Sequence, residues 1–418
     1  MLGSFRARLA AIAAGGLALR LLYVLVLAPG VRGSGDWQFF HAEPDLLSDG
    51  KGFIDPFIFA ATGRESATAL HPPLWPLVLT PVSLLGGNGA LTQRAVGCFI
   101  GAAALVVIGL LGRRVGGERT GLTAAGLAAV YPLLVAADGS LMSETLYGLL
   151  IAAALLLALR LRERRDRASA TALGALIGLA ALTRGEALAL IPLLAIPVAL
   201  AGGRGRGTRV ALACAGCALV IAPWTVRNWI VLDRPVLVST NDSTVLAGAN
   251  CPATYAGSDL GSWRFDCVSP RTTDREGIQA ERWREEGLEY VGDHLAELPK
   301  VMAVRALRTW DLYQPRRQID FAEGRADWAE SAGVVVYLLL VPLAVYGGVL
   351  LRRRSRVTLL ILLAPVALVT LSSLIAYGVP RFRHAAEIPI VVLAAYALTS
   401  RREAPDRAGP PAREAAVV

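Results

Sequence analysis

Long stretches without charged side chains dominate this sequence and decide what it can fold into. About ten of them run for roughly 16 to 22 residues, enough as helices to cross a hydrocarbon core of about 30 Å. They cover approximately residues 9–28, 95–112, 120–137, 141–159, 168–183, 187–202, 210–226, 332–351, 357–377 and 385–399. Hydrophobic residues make up 54% of the 418 positions, more than a soluble core of this length uses. We therefore predict an all-α polytopic membrane protein with about ten transmembrane helices.

Arginines between the apolar stretches predict how the chain is oriented. The formal net charge is +9, and lysine occurs only at Lys51 and Lys300. If the ten helices alternate across the membrane, the arginine clusters all fall on one side, which is typical of the cytoplasm. These clusters are Arg6/Arg8, Arg113/Arg114/Arg119, Arg160 to Arg167, Arg204/Arg206/Arg209, Arg352 to Arg356 and Arg401/Arg402. We expect a multi-pass plasma-membrane protein with cytoplasmic termini and the lipid bilayer, not nucleic acid, as its surroundings.

One further apolar segment, residues 74–85, does not fit this alternation. If it crossed the membrane, the arginines that follow it would switch to the outside, up to the C-terminal tail. We expect a re-entrant or juxtamembrane element instead.

The alternation divides the chain into four parts. Residues 1–226 form an N-terminal transmembrane module with a first outer loop at about 30–90, and residues 227–331 form a large extracytoplasmic loop. Residues 332–400 form the C-terminal transmembrane helices, and the Pro- and Ala-rich residues 401–418 are expected to be a disordered cytoplasmic tail. Apolar residues at three- and four-residue spacing predict two amphipathic helices in the large loop, separated at Pro299.

The five cysteines fall into two groups. Cys251 and Cys267 both lie in the large outer loop, where an oxidising compartment favours a disulfide between them. Cys98, Cys214 and Cys217 lie in apolar stretches. Cys214 and Cys217 have the spacing of metal ligands, but the absence of a second pair favours packing.

In this topology, acidic and arginine side chains meet at the outer ends of the helices. The acids are Asp36, Asp138 and Glu144, and the arginines are Arg184, Arg227, Arg381 and Arg383. A carboxylate that enters an apolar helix costs roughly 2–3 kcal/mol, so Glu144 needs a partner or a role. Carboxylates and arginines at one depth suit an enzyme that deprotonates a hydroxyl while it holds a phosphate.

Each of these groups also has a simpler interpretation. Asp36 is then a solvated loop acid, Asp138 a helix cap, and Arg184 with Glu186 a neutralising pair at a turn. Arg20, alone inside the first helix, pairs with Glu144 or another outer acid, or reaches a lipid head group. The sequence leaves these alternatives open. Arg381 and Arg383 break the positive-inside pattern, which favours binding of an anion.

Several short motifs follow one another in a recognisable order. They are Gly35-Asp36-Trp37, His71-Pro72-Pro73-Leu74-Trp75-Pro76, Ser143-Glu144-Thr145-Leu146, Leu182-Thr183-Arg184, Ala222-Pro223-Trp224-Thr225-Val226-Arg227-Asn228 and Pro380-Arg381-Phe382-Arg383. This order, from about residue 9 to residue 399, resembles the dolichyl-phosphate-mannose protein mannosyltransferase-like family. These are type C, family-39-like membrane glycosyltransferases, relatives of protein O-mannosyltransferases and aminoarabinose lipid A transferases.

The resemblance implies transfer of a sugar from a polyprenyl-phosphate donor to a glycan, lipid or protein acceptor at the outer membrane surface, usually with inversion. Asp36 corresponds to the catalytic acid of the first outer loop, which would act as the base. Arg227, Arg184, Arg381 and Arg383 become candidates for binding the donor phosphate. Glu144, with Asp138, matches a second acidic motif that orients the acceptor or binds a divalent cation such as Mg²⁺ or Mn²⁺; the sequence itself fixes no cofactor.

The chain departs from the family pattern at two places. Trp37 follows Asp36 where many relatives carry a second acid, and Phe39-Phe40 stands where a tyrosine is usual. A two-carboxylate metal site within this first motif is therefore not expected.

Other function classes are compatible with parts of the sequence. A polymerase of lipid-linked glycans also uses outer arginines but requires an oligosaccharide donor. A transporter or flippase of polyprenyl-linked sugars typically has repeated halves and charges near the membrane midplane, and neither is evident. A structural subunit would not need acids and arginines at one depth.

Overall fold

The computed structural model describes residues 4–273, 275–319 and 323–400. Within these residues the chain is helical and contains no strand, only an isolated bridge between Ile54 and Ala67. The prediction of a disordered tail at 401–418 lies outside the described residues.

Eighteen α-helices, numbered here in chain order, make up the described chain. They are α1 Phe5–Leu22, α2 Asp36–Ser48, α3 Pro56–Thr62, α4 Leu74–Leu84, α5 Ala90–Val130, α6 Pro132–Asp138, α7 Glu144–Arg164, α8 Arg167–Ala181, α9 Ile196–Leu200, α10 Arg206–Leu232, α11 Asn241–Ala249, α12 Pro252–Tyr255, α13 Glu276–Asp293, α14 Leu298–Thr309, α15 Pro315–Ile319, α16 Asp327–Arg354, α17 Arg356–Ile375 and α18 His384–Ser400. One turn of π-helix, Tyr23–Leu27, extends α1, and 3₁₀ and π turns lead into α9.

The prediction of a polytopic membrane protein is confirmed. Seven described helical segments are long and apolar enough to cross a membrane. One of them, α5, is two helices joined at Gly116 and Gly117, where the backbone is not helical and Gly117 has φ +86°, a conformation that suits glycine. Counting both halves of α5 and the shorter segments Arg167–Ala181 and Gly185–Leu200 reproduces the ten apolar stretches of the sequence.

The additional apolar segment forms α4, which has 11 residues. At 1.5 Å per residue this helix is about 16 Å long, roughly half of a hydrocarbon core. By itself α4 is therefore too short to span the membrane.

The last helix, α18, runs through the middle of the bundle. It packs against α5, α7, α16 and α17, and 83% of the residues in its apolar stretch are buried. A helix that is apolar on all sides is expected at such a position. Because α18 is enclosed, the short turn at its start is held firmly where the bundle ends.

A buried ion pair ties the first helix to the bundle. Arg20 lies 2.6 Å from Asp138, and both side chains are almost fully buried. Arg20 also donates to the carbonyl oxygens of Gly16 and Ala129. A Cβ atom at Gly101 would lie 2.1 Å from the Asp138 carboxylate, so this position has room only for glycine.

The connections at one end of the bundle fold into a single layer, which we call the loop cap: residues 29–89 with the described parts of 233–326. Glu276, at the start of α13, joins its two halves by accepting hydrogen bonds from Thr68, Ala69 and Thr240. The large loop contains the helices α13 and α14, but Pro299 lies in the first turn of α14 and does not itself separate them. A disulfide joins Cys251 and Cys267, whose Cα atoms are 6.1 Å apart.

Two contacts fix the large loop to the bundle beside α18. The amide of Gly378 donates to the carbonyl of Gly261 at 2.9 Å. Arg305 bridges the two parts, because its guanidinium donates both to Ala249 in the cap and to Ile375 at the end of α17. The cap and the segment that precedes α18 are therefore built as one unit.

Candidate active site

The turn that precedes α18 brings one arginine to three carboxylates. Pro380–Arg383 forms a 3₁₀ turn, with proline at its first position. Arg381 donates from Nη1 to Glu323 Oε2 at 2.5 Å and from Nη2 to Asp36 Oδ2 at 2.6 Å, and its Nε lies 2.8 Å from Glu144 Oε1. The Arg381 side chain is 12% exposed and that of Asp36 is 28% exposed, so the cluster is partly open to its surroundings.

Asp36 is the first residue of α2, where the helix dipole favours a negative charge. Its Oδ1 lies 3.4 Å from Nε2 of His71. Burial raises the pKa of Asp36, but His71, Arg381 and Arg184 outweigh burial and lower it to about 2. The preceding Gly35 has φ +57°, and a Cβ there would lie 3.3 Å from Glu323 Oε1, so glycine keeps this approach open.

His71 is enclosed by aromatic side chains. Its ring lies 4.6 Å from the Phe39 ring and 5.0 Å from the Phe40 ring. This burial lowers the pKa of His71, although Asp36 acts in the opposite direction. The His-Pro-Pro-Leu-Trp-Pro run thus brings an imidazole to Asp36, a contact that the scattered histidines of the sequence did not predict.

Glu144, the first residue of α7, connects the two arginines of the site. Its Oε1 accepts a hydrogen bond from Arg184 Nη1 at 2.9 Å, and the side chain is 1% exposed. Arg184 also donates to Glu186 at 2.7 Å, so the predicted pair at this turn is present but belongs to a larger cluster. The buried carboxylate therefore has the partner that its position in the membrane demands.

An aromatic row lies beside the arginines. The Arg184 guanidinium is 5.3 Å from the Phe382 ring, which is 4.8 Å from the Tyr377 ring. Tyr377 in turn lies 6.3 Å from Trp263, which the large loop supplies. All three aromatic side chains are partly exposed.

Three residues that the sequence suggested for the site have other contacts. Asp138 is paired with Arg20 inside the bundle. Arg227 donates to the backbone carbonyls of Thr68 and Phe53 and so fastens the cap to α10. Arg383 is 1% exposed and is neutralised by Glu387 and Asp311 at 2.6 and 2.7 Å.

Glu323 is the member of the cluster that sequence reasoning missed. It lies between α15 and α16 in a stretch with mixed charges, and no periodicity or motif distinguishes it from its neighbours. Burial raises the pKa of Glu323 to about 7, although Arg381 acts in the opposite direction. Only the folded chain shows that it approaches Asp36.

The carboxylates do not fit a divalent cation as they are arranged. Asp36, Glu144 and Glu323 each direct one oxygen at the Arg381 guanidinium. Within residues 4–273, 275–319 and 323–400, no three His, Cys, Asp or Glu side chains converge as metal ligands would. The guanidinium itself lies where their charges meet.

Comparisons with known proteins agree with this fold. Residues 70–227 match the family described as dolichyl-phosphate-mannose-protein mannosyltransferase. No curated protein matches the sequence.

Solved structures resemble the chain more extensively. The archaeal oligosaccharyltransferase AglB from Archaeoglobus fulgidus, in complex with an inhibitory peptide and a dolichol-phosphate, is 16% identical with a TM-score of 0.57; the match covers 95% of this chain and 50% of that one. The A. fulgidus oligosaccharyltransferase in complex with Zn and sulfate is 17% identical, with a TM-score of 0.54 and coverages of 94% and 49%. ArnT from Cupriavidus metallidurans bound to undecaprenyl phosphate is 15% identical, with a TM-score of 0.40 and coverages of 94% and 77%.

The chain thus spans about half the length of the oligosaccharyltransferases that it resembles. It is a polytopic membrane protein with the fold of the type C glycosyltransferases, and over residues 70–227 it is similar to the dolichyl-phosphate-mannose-protein mannosyltransferases.

Proposed function

We propose that this protein is a glycosyltransferase that moves a sugar from a polyprenyl-phosphate donor to an acceptor at the extracytoplasmic face, with inversion at the anomeric carbon. The observation that supports it most is a set of contacts where the loop cap meets the bundle. Asp36 contacts Arg381, and Arg381 and Arg184 both contact Glu144. A lipid-borne phosphate reaches this depth from the membrane, and an acceptor reaches it from the cap.

Asp36 is the proposed base. It takes the proton of the acceptor hydroxyl while the oxygen forms its bond to the anomeric carbon and the bond from that carbon to the phosphate oxygen breaks. A single displacement of this kind inverts the anomeric centre. The electron pair of the broken bond leaves with the lipid phosphate, so the negative charge of the phosphate increases.

Arg184 and Arg381 are the proposed partners of that phosphate. Both are 12% exposed, and a guanidinium presents several donors in one plane to phosphate oxygens. Arg383 is not included in the proposal, because its side chain is 1% exposed. Arg227 is not included, because it binds the backbone carbonyls of Thr68 and Phe53 and not the acids of the cluster.

In this mechanism, donor binding also raises the pKa of Asp36, the proposed base. Asp36 has a pKa of about 2 while His71, Arg381 and Arg184 stabilise its charge, which is low for a general base. A phosphate on Arg184 and Arg381 shares those guanidinium groups with Asp36 and raises its pKa. Asp36 becomes more basic when the donor is in place.

The three parts of the chain contribute differently. Residues 1–226 supply Asp36, Glu144 and Arg184, and the C-terminal part supplies Arg381. Residues 227–331 supply Glu323 and Trp263, and we assign acceptor selection to this loop. The aromatic row gives a sugar ring a surface on which its C–H face packs.

The loop cap faces outward in this proposal. Arg113, Arg162 and Arg352 lie near the opposite ends of their helices, where positive charge is typical of the cytoplasm. The disulfide within the cap also suits an oxidising compartment.

Reconstituted protein tests the proposal. Proteoliposomes are supplied with a panel of radiolabelled polyprenyl-phosphate sugars and with membrane extract as a source of acceptors. We expect one donor to be consumed, free lipid phosphate to be released, and the product to carry the opposite anomeric configuration by NMR. Movement of the intact donor between leaflets without cleavage would identify a flippase, and consumption of lipid-linked oligosaccharides alone would identify a polymerase.

A further inference from the structure

A single guanidinium contacts three carboxylates that come from distant parts of the chain. Asp36 belongs to α2, Glu144 to α7, and Glu323 to the segment before α16. Their nearest oxygens lie 2.6, 2.8 and 2.5 Å from Nη2, Nε and Nη1 of Arg381. All three nitrogen atoms of this side chain thus face an acid.

Three carboxylates that meet in a partly buried pocket require a positive charge at their centre, because they otherwise repel one another or take up protons. Proteins often supply that charge as Mg²⁺, Mn²⁺ or Ca²⁺, which bind carboxylate oxygens at about 2.0–2.6 Å. Here the planar guanidinium of Arg381 takes that position, with charge-assisted hydrogen bonds to Asp36 and Glu323 and an ion pair with Glu144. A cation could take the same position only if the guanidinium left it.

The surroundings of Arg381 keep the guanidinium in place. Two residues further along, Arg383 is bound on both sides by Glu387 and Asp311 and so fixes the end of the turn. On the N-terminal side, the amide of Gly378 is bound to Gly261. The side chain therefore leaves a backbone that is anchored before and after it.

We propose that Arg381 takes the place of a divalent cation, as the permanent counter-charge of Asp36, Glu144 and Glu323. As a consequence, the site binds no divalent cation, and sugar transfer proceeds without one. The first consequence depends only on the geometry, whereas the second rests on the proposed function.

Manganese binding tests the first consequence without any substrate. Purified protein in detergent is titrated with Mn²⁺, and free Mn²⁺ is followed by electron paramagnetic resonance. We expect wild-type protein and Arg184→Ala, which keeps Arg381, to bind no stoichiometric Mn²⁺. Arg381→Ala leaves the three carboxylates without their counter-charge and is expected to gain one Mn²⁺ site, which is lost again when Glu323→Gln is added.

Two results would overturn the proposal. One is a stoichiometric Mn²⁺ site in the wild type that disappears in Glu323→Gln. The other is a folded Arg381→Ala protein, as judged by size-exclusion chromatography and thermal unfolding, that gains no site. If Arg381→Ala does not fold, the wild type and Glu323→Gln still decide the question.

Chelation tests the second consequence. We expect the rate of sugar transfer to change less than twofold in excess EDTA or after addition of Mg²⁺ or Mn²⁺. A loss of tenfold or more that Mn²⁺ restores would contradict the proposal. If no donor on the panel is consumed at all, the proposed function fails, while the Mn²⁺ titration still decides which cation the carboxylates hold.

Discussion

Two buried glutamates of the loop cap differ in what their carboxylates contact. Glu276 accepts hydrogen bonds from two threonine hydroxyls and one amide. Glu43 is fully buried, and neither of its oxygens has a hydrogen-bond partner within the described part of the chain. Burial raises the pKa of Glu43 to about 9 from 4.5, only partly offset by Arg227.

This difference predicts how stability depends on pH. Between pH 4.5 and 9 the folded chain keeps the Glu43 proton that the unfolded chain loses, so the stability of the wild type falls as the pH rises. Glu43→Gln stays neutral in both states. Its thermal midpoint should match that of the wild type near pH 4.5 and exceed it increasingly toward pH 9.

Glu276→Gln serves as the matched control for this experiment. Its amide nitrogen cannot accept a hydrogen bond, so at neutral pH, where Glu43→Gln should be more stable than the wild type, this variant should lose about 1–3 kcal/mol of stability. A Glu43→Gln protein that is destabilised at pH 8 would show that the Glu43 carboxylate has a partner.

The sequence predicted the individual members of the site unevenly, for a physical reason. Glu144 and Arg381 stand at the ends of apolar stretches, where a charge is costly and therefore noticeable, whereas Asp36 was assigned from the order of the motifs. Glu323 and His71 lie in polar or proline-rich segments, where their residue types are common. The contact of His71 with Asp36, and of Glu323 with Arg381, depends on how the cap folds, and no local pattern contains that information.

At the scale of elements, the segment between α17 and α18 joins the cap to the bundle. A Cβ at Gly378 would lie 2.3 Å from the Arg305 carbonyl oxygen and 2.6 Å from Arg308 Cβ, so an alanine there must displace backbone. Because Arg381 follows three residues later, this displacement also reaches the site.

We therefore predict that Gly378→Ala lowers stability by about 1–3 kcal/mol and reduces sugar transfer. Gly292 in α13 is the matched control, since no atom lies within 4 Å of a Cβ built there and alanine favours a helix. Thermal unfolding and transfer rates of both variants check this. Unchanged transfer in Gly378→Ala would show that the junction does not position Arg381.

Hydropathy predicted the elements well because crossing a membrane demands a long apolar helix. The kinks and boundaries between these helices were less predictable. The kink at Gly116–Gly117 keeps the chain helical on both sides, and Pro299 begins α14 because proline is tolerated in a first turn.

For the whole molecule, the two lysines provide a test of orientation. Lys51 and Lys300 both lie in the loop cap, and no other lysine occurs in the sequence. A membrane-impermeant amine reagent applied to intact spheroplasts should therefore label the protein at these two positions, and Lys51→Arg/Lys300→Arg should remove that label. Labelling of the two lysines only after permeabilisation would place the cap in the cytoplasm.

The site draws on both ends of the chain. The resemblance placed the catalytic acid in the N-terminal module and made Arg381 a phosphate-binding candidate, and Asp36 touches Arg381, which is 345 positions later. The family match ends at residue 227, whereas the fold extends over nearly all of the chain. Short motifs therefore named Asp36, Glu144, Arg184 and Arg381 but not Glu323, and the packing of α18 through the bundle brings these side chains together.

The most direct measurement of the central claim is sugar transfer by Asp36→Asn in reconstituted vesicles. Asp49→Asn is the control, because Asp49 follows the same helix α2 and is exposed. With equal amounts of folded protein, we expect Asp36→Asn to lose at least a hundredfold in rate, as general-base catalysis contributes about 10²–10⁴-fold, while Asp49→Asn keeps the wild-type rate. Transfer by Asp36→Asn at the wild-type rate would contradict the assignment of Asp36 as the base.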